Sequence, residues 1–229
     1  MPQAEWLPGI VRRALVAGIN RWADFRANRV VSVRSVAAAN TPEAFDQVYG
    51  TPALMHEYLR PDRLEFYEAV AARCASEGAP SRVIDVGCGT GHLLAALLKR
   101  IDPPELAVGV DNSTEAIARL REFVPTAVAV VASVYELERE LEPESFDLVL
   151  CTEVLEHLER PADALMQLRR LRSPGGRIIV TVPDGTVDDF SGHVNFWSFD
   201  AFRSLLSRVG RARVERLDDG TLYGVVIAS

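Results

Sequence analysis

From residue 82 onward the chain alternates short apolar runs with stretches whose apolar residues recur every three or four positions. The runs are RVIDV (82–86), LAVGV (106–110), TAVAVV (126–131), FDLVLC (146–151) and GRIIVTV (176–182). Each is short and apolar on successive positions, the pattern of a strand buried on both faces. Helical spacing covers 91–101, 114–122, 154–171 and 199–208, with a short helical piece near 134–140. ARVERL and TLYGVVIA then flank DDG, a hairpin signal. Strand–helix alternation requires right-handed crossovers and a parallel sheet. The closing hairpin turns one strand antiparallel at or near an edge. The expected fold class is α/β: a doubly wound, seven-stranded, mostly parallel sheet with one antiparallel strand and helices on both faces.

The first 80 residues follow another rhythm. Leu7, Val11, Ala14, Gly18, Trp22 and Phe25 fall on one stripe of an amphipathic helix over 5–27. AANTPEAFDQVYGTP reads as a loop with a short helical piece. Pro61 starts another helix, with Leu64, Tyr67, Val70, Ala71 and Cys74 on one side, and SEGAPS ends it. Residues 1–80 are therefore expected to be a helical extension or lid, and 81–229 the sheet domain.

Charge sharpens that division. The chain of 229 residues carries a net charge of −7, which argues against a general nucleic-acid binder. Residues 1–40 hold six arginines against Glu5 and Asp24, a balance of +4, which leaves −11 for the rest. The basic helix is expected to pack on its own or a neighbouring protomer, giving a homodimer, rather than on an anionic membrane. No apolar run reaches the ~18 residues of a membrane span, and no secretory signal pattern opens the chain. Cys74, Cys88 and Cys151 share no CxxC spacing, so a reduced, cytoplasmic setting is expected.

The chemistry gathers at VIDVGCGTGHL (83–93), where a strand runs into Gly87, Gly89 and Gly91 behind a carboxylate, Asp85. Ligands of open α/β sheets bind beyond the carboxyl ends of the strands, and glycines there let the backbone approach a ligand closely. A dinucleotide loop wants GxGxxG, whereas this one is GxGxG with His92 next. Asp111 ends the second strand 20 residues after Gly91, placed to accept from ribose hydroxyls under either reading.

The glycine run has company. VGVDNS (108–113), FDLVLCTEVLEHLERPADAL (146–165), LRSPGGRIIVTVPD (171–184) and HVNFWSFDAFRSLLSRVG (193–210) follow in order. Together with the loop they resemble the motifs of class I S-adenosylmethionine-dependent methyltransferases, in the small-molecule, O-methyltransferase-like branch. The likeness covers about residues 82–229 and implies a Rossmann-like methyltransferase fold with S-adenosyl-L-methionine as cofactor. By that resemblance Asp85, Gly87, Cys88, Gly89 and Gly91 would hold the methionine part, Asp111 the ribose, and Asn112 would sit beside the adenine. Ser133 stands where the family usually has an Asp that contacts the adenine amino group, with Val134 supplying backbone groups; Cys151 and Thr152 would lie beneath the cofactor.

Methyl transfer from a sulfonium needs alignment above all, and a hydroxyl acceptor must also lose a proton. His157 lies just past the fourth strand and His193 in the loop after the fifth, so both are candidate bases. One helical turn from Glu153 to His157 would let the carboxylate orient the imidazole. Phe190, Phe196, Trp197 and Phe199 would either wall a substrate pocket or staple the last helix; Tyr49, Tyr58 and Phe66 would complete a lid.

Glu153, Glu156, His157 and His193 also resemble the metal-binding set of small-RNA 3′-end 2′-O-methyltransferases. That family's second histidine near the later one is replaced here by Asn195 and Phe196, and no basic track for RNA is evident, so no metal is expected. The expected activity is methyl transfer to a small molecule, at a hydroxyl oxygen. The alternatives are the metal-assisted RNA enzyme and a degenerate cofactor-binding scaffold.

Overall fold

The computed structural model describes residues 40–229, so the basic helix expected over 5–27 lies outside the described residues. The apolar runs form β1 (Arg82–Val86), β2 (Leu106–Asp111), β3 (Val128–Val131), β4 (Phe146–Thr152) and β5 (Arg172–Val182), followed by β6 (Arg211–Arg216) and β7 (Leu222–Ile227). They make one seven-stranded sheet in the order β3-β2-β1-β4-β5-β7-β6. The pairs from β3 across to β5 are parallel, and β7 runs antiparallel to both β5 and β6. The hairpin therefore slips its second strand between β5 and β6. The chain winds outward from β1 through β2 to β3, then restarts at β4 on the other side. That reversal opens a crevice at the carboxyl ends of β1 and β4.

The helices are α1 (Pro42–Gly50), α2 (Pro52–Tyr58), α3 (Pro61–Ser76), α4 (His92–Leu98), α5 (Thr114–Phe123), α6 (Pro161–Leu171) and α7 (Phe199–Leu206). Proline opens α1, α2, α3 and α6, where its missing N–H has no helical partner to lose. The single helix expected over 154–171 does not form. Leu155–His157 makes one 3₁₀ turn, Leu158 returns to extended backbone, and α6 begins only at Pro161. Pro161 explains the break, because its ring disfavours helical backbone at Arg160, which sits at φ −127° and ψ 64°. The piece near 134–140 is likewise a 3₁₀ turn, Leu137–Arg139.

Strand alternation divides the core in two. Ile84, Val149, Cys151, Ile178 and Val180 face α6 and α7; Val83, Leu148, Leu150, Ile179 and Tyr223 face α3, α4 and α5. Helix α3 buries Phe66, Val70, Ala71 and Cys74, while Leu64 of the expected stripe is exposed. Each large apolar side chain buried there contributes about 1.5–3 kcal/mol. The half-exposed ion pair of Arg73 with Glu215, 2.6 Å apart, contributes ~0–1 kcal/mol. Apolar packing, not charge, seats α3.

Helix α1 is held differently. Asp46 accepts from Ser113 Oγ (2.6 Å), Thr114 Oγ1 (3.1 Å) and the Glu115 amide (3.2 Å), at the start of α5. Ser113 in turn caps α5 by accepting from the Ala116 amide. Tyr49, four fifths of a turn further along α1, is thereby pressed against the glycine loop, its hydroxyl 3.0 Å from where a Cβ on Gly89 would sit. Replacing Asp46 with alanine is expected to free α1 without unfolding the sheet. Hydrogen exchange over residues 42–50 should accelerate severalfold, with a global loss of about 1 kcal/mol or less; unchanged exchange would show that α1 is seated by its apolar face alone.

Candidate active site

The glycine loop bends the chain away from the end of β1. The amides of Gly87 and Cys88 both donate to the Val110 carbonyl, at 2.7 and 3.0 Å. Gly87 has φ +75°, and a Cβ there would fall 2.3 Å from Val154 Cγ2. Gly91 has φ +85°, and its Cβ would fall 2.3 Å from Leu120 Cδ1. Gly91 thus shapes the entry to α4 and its packing on α5, and it lines neither cavity described below.

Asp111 ties this loop to β2. One carboxylate oxygen accepts from the Gly89 amide and the other from the Ser113 amide, each at 2.9 Å. Burial raises its pKa, and the amide donors oppose the rise. Asp85 is 1% exposed, and its Oδ1 has no hydrogen-bond partner among the described residues. Burial, with the Asp111 charge adding, pushes its carboxyl up to about 7. A buried carboxylate with an idle oxygen is a ready acceptor for an ammonium group.

Two cavities meet at this loop, sharing Tyr49, Tyr58, Arg63, Gly87 and Glu153 as walls. The small one, about 50 Å³, is lined by Asp85, Cys88, Gly89 and Thr152. The large one, about 740 Å³, runs from Asp111, Asn112, Ser133 and Val134 to Glu156, His157, Phe190 and His193. Its volume suits a small-molecule site. Ser133 Oγ also accepts from the Tyr135 amide at 3.3 Å.

Cys151 is a correction to the expected cofactor contacts. It shares the parity of Val149, so strand alternation turns it into the apolar core and it lines neither cavity. Thr152, of opposite parity, lines the small one.

At the far end of the large cavity two imidazoles meet, with ring centroids 4.8 Å apart. His193 Nδ1 lies 2.6 Å from Asp188 Oδ2. His157 Nδ1 lies 3.1 Å from Asn40 Oδ1 and 3.3 Å from the Gly192 carbonyl. These partners are acceptors, so each Nδ1 donates to them and each ring is held by that contact, leaving its Nε2 side free to turn elsewhere. Burial, with His193 beside it, holds His157 down to about 4, so its ring is neutral at physiological pH.

The expected pairing of Glu153 with His157 is corrected here. The 3₁₀ turn starts only at Leu155, so no helical turn joins the two. Glu153 sits at φ +56°, rare for a residue with a side chain. Its carboxylate accepts from Thr181 Oγ1 at 3.1 Å and pairs with Arg63 at 3.5 Å.

Phe190 lines the cavity, whereas Phe196 and Trp197 are buried in the body of the protein and Phe199 packs on the core. Tyr49 and Tyr58 line both cavities, but Phe66 belongs to the core beneath α3. His92 contacts the loop through Thr90 Oγ1, 2.8 Å away, and stacks near Tyr67. Sequence reasoning missed Arg63, Asn40 and Asp188. The signal for Asp188 was the DD pair five residues before His193; Asn40 and Arg63 belong to chain segments far from every motif.

Residues 84–180 match the family model described as "Methyltransferase domain". A ubiquinone biosynthesis O-methyltransferase of Xanthomonas campestris is 37% identical over 136 residues, 58% of this chain and 54% of the relative. A trans-aconitate 2-methyltransferase of Methylobacterium nodulans is 37% identical over 107 residues, 46% of this chain and 40% of the relative. The chain thus spans about half the length, or less, of these curated relatives. Among solved structures, the N-methyltransferase NodS of Bradyrhizobium japonicum, in complex with S-adenosyl-L-homocysteine, superposes with a TM-score of 0.64 at 17% identity. That match covers 81% of this chain and 96% of NodS and speaks for the fold. In its glycine loop, the acid ending β2 and its sheet order the sheet domain is similar to the class I S-adenosylmethionine-dependent methyltransferases, and residues 84–180 match their methyltransferase domain.

Proposed function

We propose that the protein transfers the methyl group of S-adenosyl-L-methionine to a hydroxyl oxygen of a small-molecule acceptor. The amino-acid end of the cofactor suits the small cavity, where Asp85 offers an idle oxygen to the ammonium and Arg63 a cation to the carboxylate. Asp111 keeps lone pairs for the ribose hydroxyls after serving the loop amides, and Asn112, Ser133 and Val134 wall the adenine end. The acceptor then occupies the end walled by His157, His193 and Phe190.

The observation that carries the oxygen reading is the imidazole pair, both rings pinned at Nδ1 and both open at Nε2, on the wall of the cavity that Asp111 also lines. In the transfer the carbon–sulfur bond breaks as the carbon–oxygen bond forms, sulfur keeps the electron pair, and the acceptor oxygen loses its proton. A lone pair beside that oxygen, acting as a base or through a cation it ligates, is what a hydroxyl acceptor requires. The O-methyltransferase relative supports the same choice. No helix of the described residues is long and apolar enough to cross a membrane.

Three outcomes test this reading. Asp111→Ala should weaken S-adenosylhomocysteine binding in calorimetry by at least about tenfold, since it removes a charged acceptor and unties the loop; unchanged affinity would refute the ribose assignment. His193→Ala should cut turnover about 10²–10⁴-fold with cofactor affinity retained, and an equal fall in both would mark a structural role. The third concerns pH. Asp85, lifted to about 7, binds an ammonium only when ionised. Cofactor affinity should therefore rise from pH 6 to 8 and level off above, with proton release on binding below pH 7. Asp85→Asn should flatten that dependence.

A further inference from the structure

We propose that the Glu156 carboxylate binds a primary ammonium group of the methyl acceptor, so that the acceptor is a cationic amino compound methylated at a hydroxyl. The inference rests on the methyltransferase reading above and deepens it by naming the acceptor class. Glu156 lines the large cavity and is 1% exposed, and neither of its carboxylate oxygens has a hydrogen-bond partner among the described residues. A carboxylate buried without a donor is strongly disfavoured until a donor or a cation reaches it.

The other acids on this wall are already served. Asp111 accepts from two amides. Glu153 accepts from Thr181 Oγ1 and pairs with Arg63. Glu159 is exposed to water. The wall's arginines are engaged as well: Arg63 with Glu153, and Arg160 with Asp163 at 3.2 Å and over the Tyr135 ring at 4.5 Å. Among the described residues of the wall, Glu156 is therefore the acid left to the ligand.

Aromatic rings complete the surroundings. Phe45 meets His157 edge-on, with centroids 6.0 Å apart at 87°, and Phe190 meets His193 at 4.9 Å and 67°. Both phenylalanines line the same cavity. A carboxylate on one side and ring faces on others are what a desolvated alkylammonium needs, since it brings three donors as well as charge. The carboxylate is also firmly based. The Glu156 carbonyl accepts from the amides of Val194 (2.8 Å) and Asn195 (3.0 Å), and Asn195 Nδ2 donates to the Leu155 carbonyl at 3.1 Å.

Held as an ammonium, the nitrogen keeps its protons and has no lone pair with which to attack the methyl carbon. The nucleophile is then the acceptor's hydroxyl. A carboxylate oxygen of Glu156 lies within 4.8 Å of a nitrogen of His157 and of His193, so an acceptor anchored there carries a hydroxyl a few bonds away past the imidazoles. The same charge works against the wrong acceptors, because an anion would meet Glu156 with Glu153 and Asp188 nearby.

The test is calorimetry of two matched pairs, tyramine against 4-propylphenol and glucosamine against glucose, on the full chain with and without S-adenosylhomocysteine. In at least one pair the amine should bind about tenfold or more tightly than its uncharged counterpart. Glu156→Gln should erase that preference, and Glu159→Gln should keep it. Retained S-adenosylhomocysteine binding certifies that each variant is folded. Wild type that binds S-adenosylhomocysteine but favours the amine in neither pair would overturn the inference and leave the methyltransferase reading standing. A preference that survives Glu156→Gln would overturn it too. So would a Glu156→Gln variant that loses affinity for S-adenosylmethionine but not for S-adenosylhomocysteine, since the carboxylate would then serve the sulfonium. An amine preference that depends on Glu156, in a protein that binds no S-adenosylhomocysteine, would keep the site and sink the reading beneath it.

Discussion

Asp111 stands at the join of everything that shapes the glycine-loop end of the cavities. Its two oxygens gather the Gly89 amide from the loop after β1 and the Ser113 amide from the start of α5. Ser113 caps α5 and donates its hydroxyl to Asp46, which brings down α1. A single buried carboxylate thereby fixes the glycine loop, one helix start and, through one intermediary, the covering helix. Burying that charge is tolerable only because backbone donors meet it. The arrangement also explains why glycines are needed nearby: with Asp111 and Val110 pulling the loop inward, the turn closes onto Val154 and Leu120 with no room for a side chain.

The His157–His193 end of the large cavity follows a contrasting logic. There the acidic groups are met mostly by side chains, with one amide, that of Phe190, donating to Asp188. Glu156 has no donor, Glu153 leans on Arg63 and Thr181, and Asp188 is taken up by His193. Backbone hydrogen bonds fix where the side chains start, and the side chains are left facing open volume. One end of the cavity is satisfied by backbone amides; the other is held mainly by side chains.

How much of this the sequence reveals depends on the range of the interactions. Strands β1, β2, β4 and β5 were legible because burial on both faces writes continuous apolar runs, whereas β3 is apolar yet half exposed at the sheet edge; the glycine loop was legible because few residue types tolerate its backbone. Helix 154–171 was misread because apolar spacing persists through a proline break that periodicity does not register. The Glu153–His157 pairing failed with it. Asp188, Asn40 and Arg63 reach the site from separate segments, and contacts made across 117 residues, as between Asn40 and His157, leave no local pattern. Cys151 shows the converse error. Its place near the end of β4 says nothing of side-chain direction, and strand parity sends it to the core.

The order of strands at the sheet's end carries a consequence for how the molecule assembles. β6 precedes β7 in the chain, but β7 lies between β6 and β5. During synthesis β6 emerges with no neighbour to pair with and must wait until the later strand has been inserted. Until then β5 presents a raw edge of Ile178, Ile179 and Val180 backbone, and the layer formed by α7 has no complete surface to rest on. The edge of β5 is thus protected from pairing with other strands only once the hairpin has closed.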